Sequence, residues 1–161
     1  MQLLINIAQI ASAIVLLITA TIIWIQTYET RRSTYAVAFK AVYDILQDEG
    51  KRTDRRLVLS DLAKKPYASW TPQDKLSAER VCASYDCAGI MCRNRLLPVF
   101  LVADGWGASL RGCWKTLLPL VNDYRLARNA KEYWDDFEWL ARQAERYQRK
   151  AYGSTDSAQN V

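Results

Sequence analysis

Residues 3–25 read LLINIAQIASAIVLLITATIIWI, and no charged side chain precedes Glu29. As a helix, this stretch rises about 34 Å, which is enough to cross a hydrocarbon core about 30 Å thick. A cleaved signal peptide is not favoured, because a basic n-region and small residues at a cleavage site are both missing. A buried core helix is not favoured either, since helices in so small a domain rarely stay uncharged for this length. Residues 1–28 are therefore predicted to form a transmembrane anchor.

The charges that flank this span predict its orientation. No Lys or Arg precedes it, whereas Arg31, Arg32 and Lys40 follow it, and an excess of basic residues marks the cytoplasmic side. Trp24 and Tyr28 suit the aromatic belt at that interface. We expect a bacterial inner-membrane protein that crosses once, with the N-terminus outside and the C-terminal domain in the cytoplasm.

Beyond the anchor, apolar residues recur at helical spacing, and no long two-residue alternation predicts a sheet. The expected fold is all-α: one N-terminal transmembrane helix followed by a small cytosolic bundle of about four or five helices. The predicted segments after the anchor are a juxtamembrane amphipathic helix at 29–50, a basic connector with a short helix at 51–70, a helical domain at 71–150 and a disordered tail at 151–161.

Several local signals predict where helices begin and end. Gly50 is a suitable residue to end the juxtamembrane helix, and a short helix is expected at 57–63. Thr71-Pro72-Gln73-Asp74 starts a helix that extends to about Arg95, with Leu76 among its buried residues.

Two further signals concern the last helices. Gly105 and Gly107 flank Trp106, so a kink is expected there, with helix resuming at Ala108. The tetrapeptide Asn129-Ala-Lys-Glu132 has the form of a capping box for the last helix.

Cysteine and histidine usage limits the chemistry. The chain has four cysteines and no histidine, and a small exported domain would be expected to pair its cysteines. Cys82, Cys87 and Cys92 recur every five residues and point in different directions on a helix, so we interpret them as apolar core residues. Without histidine, a nucleophile motif or a phosphate-binding glycine loop, we predict no catalytic residue, no cofactor and no metal.

The segment from Arg80 to Tyr147 carries several spaced motifs. They are YDCAGIMCR at 85–93, LLP at 96–98, DGWG at 104–107, Trp114, Leu118-Pro119 and YWDDFEWL at 133–140. Together they resemble a bacterial family of short, mostly single-span membrane proteins known only as a domain of unknown function. The resemblance implies the helical fold and the anchor, and it implies no activity.

One face of the anchor predicts a partner helix. We name as the amide stripe the residues that follow one another at alternating four- and three-residue steps: Gln2, Asn6, Gln9, Ala13, Leu16, Ala20, and further on Ile23 and Thr27. Amides in hydrocarbon seek hydrogen-bond partners and small residues permit close packing, so this face predicts contact with a second copy or a larger membrane complex. The alternative places the amides in the headgroup zone, but Gln9 lies about 9 Å inward from Leu3.

A basic segment is the predicted contact with anionic lipid. It comprises Lys51, Arg52, Arg55, Arg56, Lys64 and Lys65. Anionic headgroups are the nearest partners for a membrane-anchored domain, and a solvated loop is an equally suitable interpretation. Nucleic-acid binding is not expected, because aromatic residues are not interleaved with these bases.

The last helix contributes one candidate residue and an acidic cluster. Asp135, Asp136 and Glu138 are interpreted as a solvated first turn that matches the helix dipole. Trp139 lies at the edge of the buried stripe, so it either anchors a protein partner or packs against a neighbouring helix.

Three functional hypotheses remain in order. The first is a membrane-anchored accessory or adaptor subunit that binds a protein partner at the inner membrane. The second is a peripheral sensor or effector that acts on anionic lipid through its basic face. The third is an enzyme, which is not expected because no active site can be assembled from the sequence.

Overall fold

The computed structural model describes residues 1–153, without the side chains of residues 3–5, 7, 8 and 11. The predicted disordered tail at 151–161 therefore lies almost entirely outside the described residues, although its first two residues belong to the last helix. All regular structure in the described range is helical, which confirms the all-α prediction.

Five α-helices and two short 3-10 turns make up this fold. The helices are α1 (Gln2–Gln47), α2 (Glu49–Ser60), α3 (Pro72–Arg93), α4 (Val99–Arg128) and α5 (Asp135–Tyr152), and the 3-10 turns are Leu62–Lys64 and Tyr67–Ser69.

The chain divides into two compact units, Met1–Val37 and Ala38–Val161. The first unit consists of helix α1 alone. This helix holds a segment, Ser12–Gln47, that is long and apolar enough to cross a membrane by length and composition. The second unit contains the last turns of α1 together with α2 to α5, whose buried side chains form one core.

Helix α2 begins earlier than the sequence predicted. Helix α1 ends at Gln47, the carboxylate of Asp48 accepts the backbone N–H of Lys51 at 3.1 Å, and Gly50 lies in the first turn of α2 rather than ending a helix. The N-cap at Asp48 outweighs the glycine signal. As a result most of the basic segment is helical, and the short helix expected at 57–63 was wrong in its start.

Helix α3 begins as predicted, with a reciprocal capping box. Thr71 Oγ1 accepts the N–H of Asp74 at 3.1 Å, and Asp74 Oδ2 accepts the N–H of Thr71 at 3.0 Å. The helix ends at Arg93, where Arg95 turns left-handed (φ 60°) and the paired bonds of a Schellman turn close it. Leu76 was predicted to be buried, and it is exposed.

Helix α4 runs without a break through Gly105, Trp106 and Gly107, so the expected junction is absent. Gly107 is buried, and a Cβ placed there would lie 3.9 Å from the Cβ of Ala144 in α5. Trp106 packs against Tyr43 in the last turns of α1, with ring centres 6.2 Å apart. Gly107 therefore lies at a close helix–helix contact instead of a turn.

The predicted capping box at Asn129–Glu132 was wrong. Asn129 is left-handed (φ 49°) and ends α4, whereas α5 starts at Asp135 after a left-handed Trp134. The cap for α5 comes from another helix, because Asp86 Oδ1 in α3 accepts the N–H of Phe137 at 3.0 Å. A tertiary contact has replaced the local motif.

Helices α3 and α5 come unusually close at Gly89. A Cβ at this position would lie 2.3 Å from the backbone carbonyl oxygen of Asp136, which cannot move without moving α5. Beside this contact the buried rings of Tyr85 and Phe137 stack with centres 5.2 Å apart. Glycine is therefore required at position 89 by packing.

Gly89→Ala is expected to lower the free energy of unfolding by about 1–3 kcal/mol, the usual cost of overpacking. Gly105→Ala is the matched control, since no atom lies within 4 Å of its added Cβ and alanine favours a helix interior by about 0.5–1 kcal/mol. Denaturant unfolding followed by circular dichroism measures both. Equal stability of the two variants would contradict the close approach.

Candidate interaction surfaces

The anchor helix exposes its apolar side chains. Between Ile10 and Ile25 the large apolar residues range from 48% exposed at Ile22 to 78% at Trp24. No side chain of Met1–Val37 with a described exposure is buried. A lipid environment is therefore the one in which this helix has no exposed apolar surface in water.

All six predicted interface residues of the amide stripe (Gln2, Asn6, Gln9, Ala13, Leu16 and Ala20) are exposed. Further along, Ala20, Ile23 and Thr27 line a shallow groove of about 410 Å³ together with Trp24, Tyr28 and Arg31. The stripe thus meets a concave surface at its inner end.

The polar side chains of the anchor fall into two groups. The hydroxyls of Thr19, Thr21 and Thr27 each donate to the carbonyl oxygen four residues earlier, at 2.8 Å. The amides of Asn6 and Gln9 form no hydrogen bond among the described residues. Donors and acceptors on these two amides are therefore available to another molecule.

Arg55 does not belong to the predicted lipid-contact set. It is only 7% exposed, and its Nη2 donates to the backbone carbonyl of Leu46 in the last turn of α1. Its guanidinium carbon lies 6.0 Å from the centre of the Tyr85 ring. The side chain therefore satisfies a helix-end carbonyl and joins α1, α2 and α3.

The other basic residues keep different degrees of freedom. Arg52, Arg56 and Lys64 are exposed, and Lys51 is half-buried. Lys65 is exposed, but its Nζ lies 3.8 Å from Asp74 Oδ2. The surface offered to anionic lipid is consequently smaller than the sequence indicated.

The acidic start of α5 is paired rather than simply solvated. Arg93 Nη1 in α3 lies 2.8 Å from Asp135 Oδ2 and 3.0 Å from Asp136 Oδ1. Arg125 in α4 pairs with Glu138 at 2.9 Å. These carboxylates connect α5 to its neighbours, a role that was not visible from sequence because the arginines lie far away in the chain.

Trp139 is partly buried and packs against the core, which agrees with the expectation that it contacts a neighbouring helix. A different apolar surface was missed: Ile90, Leu96 and Phe100, around the turn between α3 and α4, are each about half exposed. Their spacing continues the helical pattern of core residues, so the sequence carried no signal of their exposure. Exposed large apolar side chains of this kind are typical of protein contacts.

Three of the four cysteines are core residues. Cys82, Cys92 and Cys113 are buried, Cys87 is half-buried, and all four are free thiols. Burial raises the pKa of Cys92 to about 11 and that of Cys113 to about 12, and it also raises the pKa of Cys82. These thiols therefore stay protonated and unreactive near neutral pH.

Comparison with known proteins places the chain in a defined group. The family model described as a domain of unknown function (DUF4760) matches residues 4–144. No curated protein and no solved structure matches the chain. The match is wider than the resemblance predicted from residues 80–147, because it begins within α1 and continues into α5.

In the folded protein at pH 8, we expect Cys87 to react quickly with a thiol reagent and the three buried cysteines to react slowly. Burial blocks access, and their raised pKa values keep the thiolate fraction low, so their rates should rise only as the pH approaches 11 or the chain unfolds. Mass spectrometry of labelled peptides measures each site. Cys87→Ser should remove the fast phase, and fast labelling of Cys113 would contradict the packing.

Proposed function

The chain belongs to the DUF4760 family, and from its own structure we propose that it is a membrane-anchored accessory or adaptor subunit. In this proposal α1 inserts in a bacterial inner membrane and binds another transmembrane helix. The helical unit that begins at Ala38 binds a protein partner on the cytoplasmic side.

The observation that carries the proposal is the pair of amides on the anchor. Asn6 and Gln9 lie on one face of a helix that is otherwise apolar along this face, and neither forms a hydrogen bond within the described chain. In hydrocarbon, an interhelical bond from such a group contributes about 0.6–2 kcal/mol, and Ala13 and Ala20 allow a second helix to approach.

Two observations favour a membrane anchor over a core helix or a cleaved targeting segment. None of the described side chains of α1 before Ala38 is buried, whereas a core helix buries its apolar residues. The family match starts at residue 4, so the family shares this helix together with the rest of the domain. A segment that is removed after targeting would not be expected to belong to the same domain.

The apolar surface at Ile90, Leu96 and Phe100 supports a protein partner for the second unit. Exposed aromatic and aliphatic residues contribute strongly to binding when a partner excludes water from them. The lipid-directed alternative has less support, because Arg55 is buried and Lys65 has Asp74 beside it. Arg52, Arg56 and Lys64 still provide positive charge close to a membrane surface.

Asn6→Leu combined with Gln9→Leu should weaken association of the anchor helix in a membrane two-hybrid assay and lower partner recovery from gently solubilised membranes. The expected loss corresponds to about 0.6–2 kcal/mol for each interhelical bond removed. The matched control, Ser12→Leu with Thr19→Leu, changes polar residues off the amide stripe and should retain association. Equal losses in both pairs would mean that the helix has no specific binding face.

A fluorescent reporter that folds only in the cytosol should be active when fused after Gly153, because Arg31 and Arg32 hold that end of the anchor inside. Reversing both to glutamate should reduce the signal. Cys87, the one half-buried thiol, supplies an independent measurement, since a membrane-impermeant maleimide should not label it in intact cells. Labelling from outside would overturn the orientation.

A further inference from the structure

A groove of about 420 Å³ lies between α2, the two 3-10 turns and α4. Its lining residues are Leu59, Leu62, Ala63, Lys65, Tyr67, Trp70, Gly112, Lys115, Thr116 and Pro119. The volume lies at the lower end of the range for small-molecule sites, roughly 300–1,000 Å³. Small residues create the space: Ala63 at the surface, and Gly112, where a Cβ would come within 2.7 Å of Leu59 Cδ2.

The aromatic walls of the groove are fixed by contacts of their own. The hydroxyl of Tyr67 donates to Asp123 Oδ2 at 2.6 Å, and Trp70 Nε1 donates to the carbonyl of Lys65 at 3.4 Å. The two rings pack edge to face with centres 5.1 Å apart, and Lys75 Nζ lies 4.9 Å from the centre of the Tyr67 ring. A pocket held in this way needs little reordering before a ligand enters, which favours binding.

Charge and shape restrict the ligand. Both charged lining residues are lysines, and Lys115 forms no ion pair in the described part of the chain. Lys65 shares its charge with Asp74 at 3.8 Å. Between these cations the lining is mainly aliphatic, and Leu59 is 39% exposed. The surroundings therefore fit a ligand with one anionic end and a short alkyl body.

We propose that this groove binds a medium-chain alkyl carboxylate, with the carboxylate at Lys115 and Lys65 and the alkyl chain against Leu59, Leu62 and Pro119. A volume of this size is too small for a two-chain phospholipid, and a planar polyanion would leave the aliphatic lining unused. The proposal goes beyond the adaptor role and does not depend on it.

Fluorine NMR of the full chain in phosphatidylcholine nanodiscs tests this site. The protein carries 5-fluorotryptophan at its six tryptophans, and Trp70→Phe identifies the Trp70 resonance. Decanoate should shift that resonance saturably. Decan-1-ol, which has the same chain without the charge, should bind at least about twofold more weakly, and acetate should cause no shift.

Variants separate the groove from general partitioning into the bilayer. Lys115→Gln should weaken decanoate binding about two- to fivefold, the usual range for an exposed ion pair, whereas Lys131→Gln removes an exposed charge elsewhere and should change nothing. Ala63→Phe fills the groove from the surface and should abolish the shift. The proposal is overturned if Trp70 does not respond to decanoate, if Ala63→Phe responds like the unaltered chain, or if decan-1-ol binds as tightly as decanoate.

Discussion

The close approach of α3 and α5 at Gly89 is the constraint on which the second unit depends. Because residue 89 has no Cβ, the backbone of Asp136 can lie where any other residue would exclude it. The same face of α3 then makes a different contact with α5 on each turn: Tyr85 stacks on Phe137, and Asp86 accepts the Phe137 N–H. A hydrogen bond weakens when it is stretched by a few tenths of an ångström, so a wider spacing would uncap α5 and loosen the core together.

Arg55 has the corresponding role at the other end of the unit. A buried guanidinium loses its hydration, and this cost is offset only where acceptors meet it. Here the acceptor is the carbonyl of Leu46, one of the groups that a helix end leaves without a partner. The turn between α1 and α2 is thereby fixed, while Arg52 and Arg56, on a different face of α2, remain exposed. One basic segment thus supplies both a structural contact and a charged surface.

The sequence predicted those features that local chemistry decides. Thr71 and Asp74 start α3 as expected, because both halves of the capping box lie within four residues. The same pattern at Asn129 failed, since α4 continued to Arg128 and a side chain from α3 supplied the cap of α5. The decisive partner was distant in the chain, and no local pattern encodes it. The candidate surfaces divide in the same way. The amide stripe depends on helical periodicity alone, so its residues can be assigned to one face from their spacing. The burial of Arg55 depends on Tyr85 and Leu46, and the groove beside Lys115 needs three elements that meet only in the folded chain.

The two units differ in what they require from their surroundings. The second unit buries its own apolar residues and pairs the acids that begin α5, so its core needs no partner. A bilayer would remove the exposed apolar surface of α1 from water, at about 25 cal/mol for each Å². It would not satisfy the amides of Asn6 and Gln9, because hydrocarbon offers them neither donors nor acceptors. The apolar side chains therefore explain insertion, whereas the amides call for a second helix.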